Sequence, residues 1–260
     1  MIENKGDKLE MKQSLFKNNL LYLVPISLFL VLWEIAGQNA QTPLFPPLSK
    51  VIEEFGSLLR NGTLLKGLGA SFGRVFIGYI LGSIAGLFVG ILMGVNKMAE
   101  YSLRPLISIL FPIPTLGWLP LLMLWIGINE ILPVTLIFIC AFFPVAYNTL
   151  TGIKEVKEEY INAARTLGAS SCYILWHVIL PMASPNIFTG LRLESGMVWR
   201  TVIAAEMFAI PTGIGALLMN AESLIRVDII MVCLVVLSIM CSIFERFFLW
   251  LEHRATGAWR

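Results

Sequence analysis

Residues Phe72 to Val95 read FGRVFIGYILGSIAGLFVGILMGV, with one arginine, Arg74, and after it no further charge before Lys97. A bilayer core takes about 20 consecutive apolar residues as a helix, and this run has that length. Backbone groups in lipid must be satisfied internally, so a spanning segment is a helix or part of a closed barrel. Barrel strands alternate apolar and polar residues over about ten positions, whereas this run is apolar throughout. The stretch therefore reads as a transmembrane helix.

Further apolar runs lie on both sides of it, at Leu20 to Gly37, Pro105 to Ile128, Ile131 to Leu150, Ile187 to Ile210 and Ile229 to Leu251. The expected fold class is all-α, a polytopic helical membrane protein with about six transmembrane helices. Composition agrees: 57% of the 260 residues are hydrophobic and 14% charged, against about 25% charged in soluble chains. The polar leader before Leu20 and the length of the first run predict an uncleaved first span rather than a signal peptide. Pro43 to Pro47 forms a loop, because proline cannot continue a helix. Leu48 to Leu59 then places Val51, Ile52, Phe55, Leu58 and Leu59 at helical spacing and predicts an amphipathic helix at the membrane surface.

Basic residues set the orientation. With a cytoplasmic N-terminus, Lys97, Arg104, Lys154, Lys157, Arg165, Arg246 and Arg254 fall inside with the four leader lysines, and few fall outside. Both termini are expected in the cytoplasm. The net charge of +2 is too small, and too dispersed, to imply a nucleic-acid partner. Cys140, Cys172, Cys233 and Cys241 lie far apart and suggest neither a disulfide framework nor a metal site.

Three features within the spans carry more detail. Gly78, Gly82, Gly86, Gly90 and Gly94 recur every fourth residue and form a groove for close helix packing, with contact inside one chain preferred over contact between chains. Pro112, Pro114 and Pro120 predict a third span kinked or partly unwound near its cytoplasmic half. The fifth span holds Arg192, Glu194, Arg200 and Glu206. Charges in a span usually face protein or a cavity. Arg192 and Glu194 are assigned to the cytoplasmic approach, where long side chains snorkel, leaving Arg200 and Glu206 as the charges to watch.

No motif supports catalysis. Only His177 and His253 are present, outside the apolar runs, and no GxSxG, HExxH or phosphate-binding GxxxxGK[ST] occurs. No catalytic or metal residue is assigned, and any ATP is expected on a partner. The loop from Thr151 to Pro181 reads TGIKEVKEEYINAARTLGASSCYILWHVILP. It predicts a helix over Lys154 to Leu167, a bend at Gly168 and a second amphipathic helix ending before Pro181. Ala163, Ala164, Gly168 and Ala169 make a small smooth knob that loses little side-chain entropy on docking.

This loop resembles the signature of the binding-protein-dependent ABC importer permeases, which reads EAA, three residues, G, nine residues and I-x-L-P. Asn162-Ala163-Ala164, Gly168 and Val178-Ile179-Leu180-Pro181 occupy it, with Asn162 where the signature has glutamate. Phe45-Pro46-Pro47, Gly117-Trp118-Leu119-Pro120, Leu124-Trp125-Ile126-Gly127 and Ala205-Glu206 before Thr212-Gly213-Ile214-Gly215 resemble the nitrate, sulfonate and taurine branch.

The resemblance implies a type I importer permease in a bacterial plasma membrane. Its implied partners are a second permease copy, two cytoplasmic ATP-binding subunits that hold ATP and magnesium, and an extracytoplasmic binding protein. It also implies a small anionic substrate such as a sulfonate, taurine or nitrate. Residues 1–64 then form the tail, first span and external segment, 65–251 the permease core with coupling loop 151–181, and 252–260 a cytoplasmic tail. Glu159, Asn162, Ala163, Ala164, Arg165, Gly168, Ala169 and Pro181 would contact the ATPase. Trp199, Arg200 and Glu206 are the candidates for the translocation pathway. An ion-coupled transporter or channel needs no ATPase and leaves the elaborate loop without a role, and an intramembrane enzyme lacks a catalytic constellation.

Overall fold

The computed structural model describes residues 24–40 and 42–256. Ten helices follow one another among them: α1 Val24–Asn39, α2 Leu48–Arg60, α3 Thr63–Val95, α4 Lys97–Leu110, α5 Leu119–Ile126, α6 Ile131–Lys154, α7 Glu158–Thr166, α8 Ser171–Ala209, α9 Ile214–Ser223 and α10 Val227–Thr256. Helices α3, α6, α8 and α10 are each long and apolar enough to cross a membrane. Helix α1 is a shorter apolar helix, and the start of the expected first span lies outside the described residues.

The third expected span is sharply bent and partly unwound. Lys97–Leu110 and Thr115–Ile126 meet at 92° across residues 111–114, within the first half of the expected run. Pro112 and Pro114 supply no N–H there, and a short 3₁₀ turn over Thr115–Trp118 carries the chain into α5.

The glycine stripe lies against α6 of the same chain. A Cβ on Gly82 would come within 2.5 Å of the Phe138 carbonyl oxygen, and one on Gly86 within 2.6 Å of that of Phe142. Gly78, Gly90 and Gly94 approach Ile137, Thr149 and Ile153 in the same way. Because the obstruction is largely α6 itself, no rotamer change relieves it. Gly82→Leu is expected to destabilise the bundle by about 1–3 kcal/mol or more. Thermal unfolding in detergent, read by exposure of the buried Cys140 and Cys233 thiols, measures the loss.

Beside this pair the main core joins α3, α6, α8 and α10 through Val75, Tyr79, Ile137, Val198, Val202 and Val232. Helix α2 adds Val51 and Leu58 to the same core, so its apolar face is buried by protein. The Pro-rich loop is held down by α1: Trp33 Nε1 donates to the Pro46 carbonyl at 3.1 Å, and Ser49 donates to the Glu34 carboxylate.

The loop between α6 and α8 differs from expectation at both ends. Lys154 closes α6, and Glu155–Lys157 turn the chain before α7 begins at Glu158. The second amphipathic helix does not stop before Pro181; it runs on into the fifth span. A π turn at Leu175–Ile179 precedes Pro181, which sits in the first turn of Leu180–Ala209. Widening the helix there accommodates the missing N–H of Pro181.

Candidate functional site

Chemistry-bearing residues gather at the two ends of the bundle. At one end α7 stands clear of it. Glu158 and Glu159 occupy its first turn and Arg165 its last, each sign favourable to the helix dipole. None of its residues is buried. The helix is closed by Gly168 at φ 82°, with Gly168 N–H donating to the Arg165 carbonyl at 2.9 Å and Ala169 N–H to that of Ala164 at 3.1 Å. This is a glycine cap in which the left-handed residue satisfies the last carbonyls. A Cβ on Gly168 would meet nothing within 4 Å, so the backbone angle, not space, requires glycine.

Asn162, Ala163, Arg165 and Gly168 are exposed on this segment, and Ala164, Ala169 and Pro181 are half-buried. Leu167 is 89% exposed. It is an apolar side chain beside a rigid cap, with no core to enter. The sequence signal was an apolar residue next to the glycine that ends a polar helix. A cavity of about 670 Å³ separates α7 from the ends of α3 and α6. The segment is anchored at its root: Glu155 accepts from Asn186 Nδ2 at 2.5 Å, and Lys154 pairs with Glu100 at 2.5 Å.

The opposite end holds a buried charge network. Glu206 is fully buried, and its partner is Arg74 of α3, not a residue of its own helix: Arg74 Nη1 donates to Glu206 Oε1 at 2.6 Å. Ser71 Oγ and the Gly215 N–H complete the carboxylate's partners at 2.8 and 2.9 Å. Arg74 also grips Glu130, with Nε 2.7 Å from Oε2 and Nη2 2.8 Å from Oε1, and donates to the carbonyl and hydroxyl of Thr212. One guanidinium thus ties α3 to α8, to the start of α6 and to the Thr212–Gly215 turn.

That turn explains its own sequence. Gly213 adopts φ 110°, and a Cβ on it would collide with the Glu206 carboxyl group. Gly215 likewise presses on Glu206 and the Ile203 carbonyl. The glycines let the backbone close over a buried carboxylate. Arg74 went unassigned in the sequence because an arginine near the start of a span reads as an interfacial anchor.

The remaining fifth-span charges separate. Trp199 is 1% exposed and packs among Phe72 and Phe244 inside one chain. Arg200 points to the outside of the chain, where its Nη1 lies 3.8 Å from the Met197 sulfur. Arg192 pairs with Glu252 at 3.2 Å. Glu194 stands at the middle of the Leu180–Ala209 stretch, beside the break between α4 and α5.

Glu130 lies outside the spans, and the hydrogen bonds from Arg74 hold its carboxyl below the usual carboxylate range against a smaller opposing effect of burial. Its stabilising contribution is therefore complete above the ordinary carboxylate range and is lost as pH falls through the lowered folded value. Glu130→Gln is expected to remove this acid-dependent part, flattening the fall in melting temperature between neutral and strongly acid pH relative to the parent protein.

The sequence profile described as "Binding-protein-dependent transport system inner membrane component" matches residues 78–257. The chain is 35% identical over 235 residues to the taurine transport system permease protein of Escherichia coli, covering 88% of this chain and 86% of that one. It is 32% identical over 243 residues to the nitrate import permease protein of a Synechocystis strain, covering 90% and 88%. In fold it is similar to a chain of a bacterial ABC transporter involved in the import of the acidic polysaccharide alginate, with TM-score 0.65 at 11% identity, covering 94% of this chain and 99% of that one. With several membrane-length apolar helices, an exposed capped helix between two of them and a profile match over most of its length, the chain belongs to the binding-protein-dependent transport system inner membrane components, the permease subunits of ABC importers.

Proposed function

We propose that this permease imports a small oxyanion, acting as two copies with two ATP-binding subunits docked at α7 and with a separate binding protein at the opposite end. ATP and magnesium are held by the docked subunits. Helix α7 and both termini are then cytoplasmic, as the distribution of lysine and arginine favours.

The observation that carries the reading is α7 itself: a short helix with small residues Ala163 and Ala164, closed by Gly168, anchored to two spans and packed into neither. Closure of the docked subunits would draw two such helices together and move α6 and α8 with them. A second observation favours two copies. Arg200 shares an exposed face of α8 with Leu193, Met197 and Phe208. An arginine facing lipid at that depth costs about 2.5–3.5 kcal/mol on insertion scales. Covering that face with a second copy around an aqueous path removes the cost and puts a cation where an oxyanion would pass.

Trp199 and Glu206 act on this path indirectly, as buried supports of α8. The test is uptake of labelled taurine, ethanesulfonate and nitrate into liposomes holding the full assembly. Uptake of at least one that requires ATP and the binding protein is expected, and uptake that proceeds without ATP would overturn the proposal.

A further inference from the structure

Glu194 is a carboxylate at the middle of the Leu180–Ala209 stretch whose only hydrogen-bond partner among the described residues is the Cys140 thiol, 3.4 Å away, and it has no ion-pair partner among them. A thiol is a weak donor and carries no charge. An acidic side chain in a membrane segment is normally matched by a cation or by water in a cavity. Glu194 does face a cavity, of about 210 Å³, walled by the break at Phe111–Thr115, by Phe143 and Pro144 of α6, and by Met197.

The walls include Pro144, which lies inside α6 and has no N–H, so the carbonyl of Cys140, another lining residue, lacks its helical donor. Carbonyls freed at broken helices suit cations. One step along α8 the sign reverses. Met197 lines the cavity beside Glu194, and its sulfur lies 3.8 Å from Arg200 Nη1. Six residues along a helix put Arg200 about 9 Å beyond Glu194 and about 120° around the axis, with Met197 on the face between them. The path proposed above therefore presents an anion-seeking group and a cation-seeking group in succession, with a flexible methionine between them.

We infer that Glu194, with the broken span beside it, binds the ammonium end of a short zwitterionic substrate whose oxyanion end is held by Arg200, and that Glu194 selects amino-bearing oxyanions over simple ones. This deepens the importer proposal and rests on it for the direction of transport. A simple oxyanion would gain from Arg200 but meet an unbalanced carboxylate next; an amino-sulfonate of the same length would satisfy both.

The test reads Glu194 directly in the purified full assembly. A hydrophobic carbodiimide adds to buried protonated carboxyl groups, and mass spectrometry of the Glu194 peptide follows the adduct. Taurine and ethylammonium are expected to slow labelling about fivefold at a few times their dissociation constants, and ethanesulfonate is not. Arg200→Gln should remove protection by taurine while leaving that by ethylammonium, and Arg200 is exposed, so the fold should survive its replacement. Equal protection by ethanesulfonate, no protection by either amine, or a Glu194 that never labels would each overturn the inference. Failure of the importer proposal would register separately, as absence of ATP-dependent uptake with protection intact.

Discussion

Gly168→Trp is expected to leave the membrane bundle folded while abolishing ATP-driven uptake. The residue sits at φ 82°, with nothing within 4 Å of the point where a Cβ would stand. Substitution therefore does not clash with the bundle; it makes the left-handed angle costly, by about 1–2 kcal/mol for an ordinary L-residue. The chain relieves that strain by opening the cap, which releases the bonds from Gly168 and Ala169 to the end of α7. Because α7 buries no residue, the bundle loses little. Loss of function through geometry should follow a graded order: Gly168→Asn, which tolerates the left-handed region better, retains more uptake than Gly168→Ala, and the bulky tryptophan retains least. Uptake normalised to protein in the membrane checks this, and unimpaired transport by the tryptophan variant would contradict it.

Arg74→Met is expected to be the most destabilising single change in the opposite end. It strands the fully buried Glu206 carboxylate without its cation, and breaking one side of a buried pair costs about 3–5 kcal/mol. It also frees Glu130 and Thr212, so the start of α6 and the Gly213 turn lose their common anchor. The double variant Arg74→Met with Glu206→Gln should recover part of the loss, since no unpaired charge remains. Melting in detergent of both singles and the double gives the coupling. A double variant as unstable as the sum of the singles would show that the two residues do not act as a pair.

The parts of this fold set by local chemistry were legible in the sequence, and those set by distant partners were not. The Gly78–Gly94 stripe is periodic on one helix, so its packing role could be read directly; which helix fills the groove required α6 to be in place. The amphipathic helix after Pro47 and the cap at Gly168 follow from a few adjacent residues. Pro112 and Pro114 announced a disturbance, but a kink and a 92° break share the same missing N–H groups. Pro181 gave the wrong boundary, because a π turn just before it lets the helix continue.

The charged residues were harder for the same reason. Glu206 and Arg200 lie on one helix and drew attention together, yet Glu206 is paired with a residue 132 positions away. Glu194 drew less attention because it lies near the expected start of the fifth span; its place beside the broken span depends on residues more than 50 positions away, such as Cys140, and could not be read from its own helix.

The central claim is that α7 couples this permease to an ATP-binding partner, and it is tested most directly by isolating the tagged chain from its native host in mild detergent and identifying what accompanies it by mass. The account predicts an ATP-binding subunit in stoichiometric amount with the parent chain and its loss with Gly168→Trp. A chain that runs alone and moves its substrate across liposomes without ATP would contradict it.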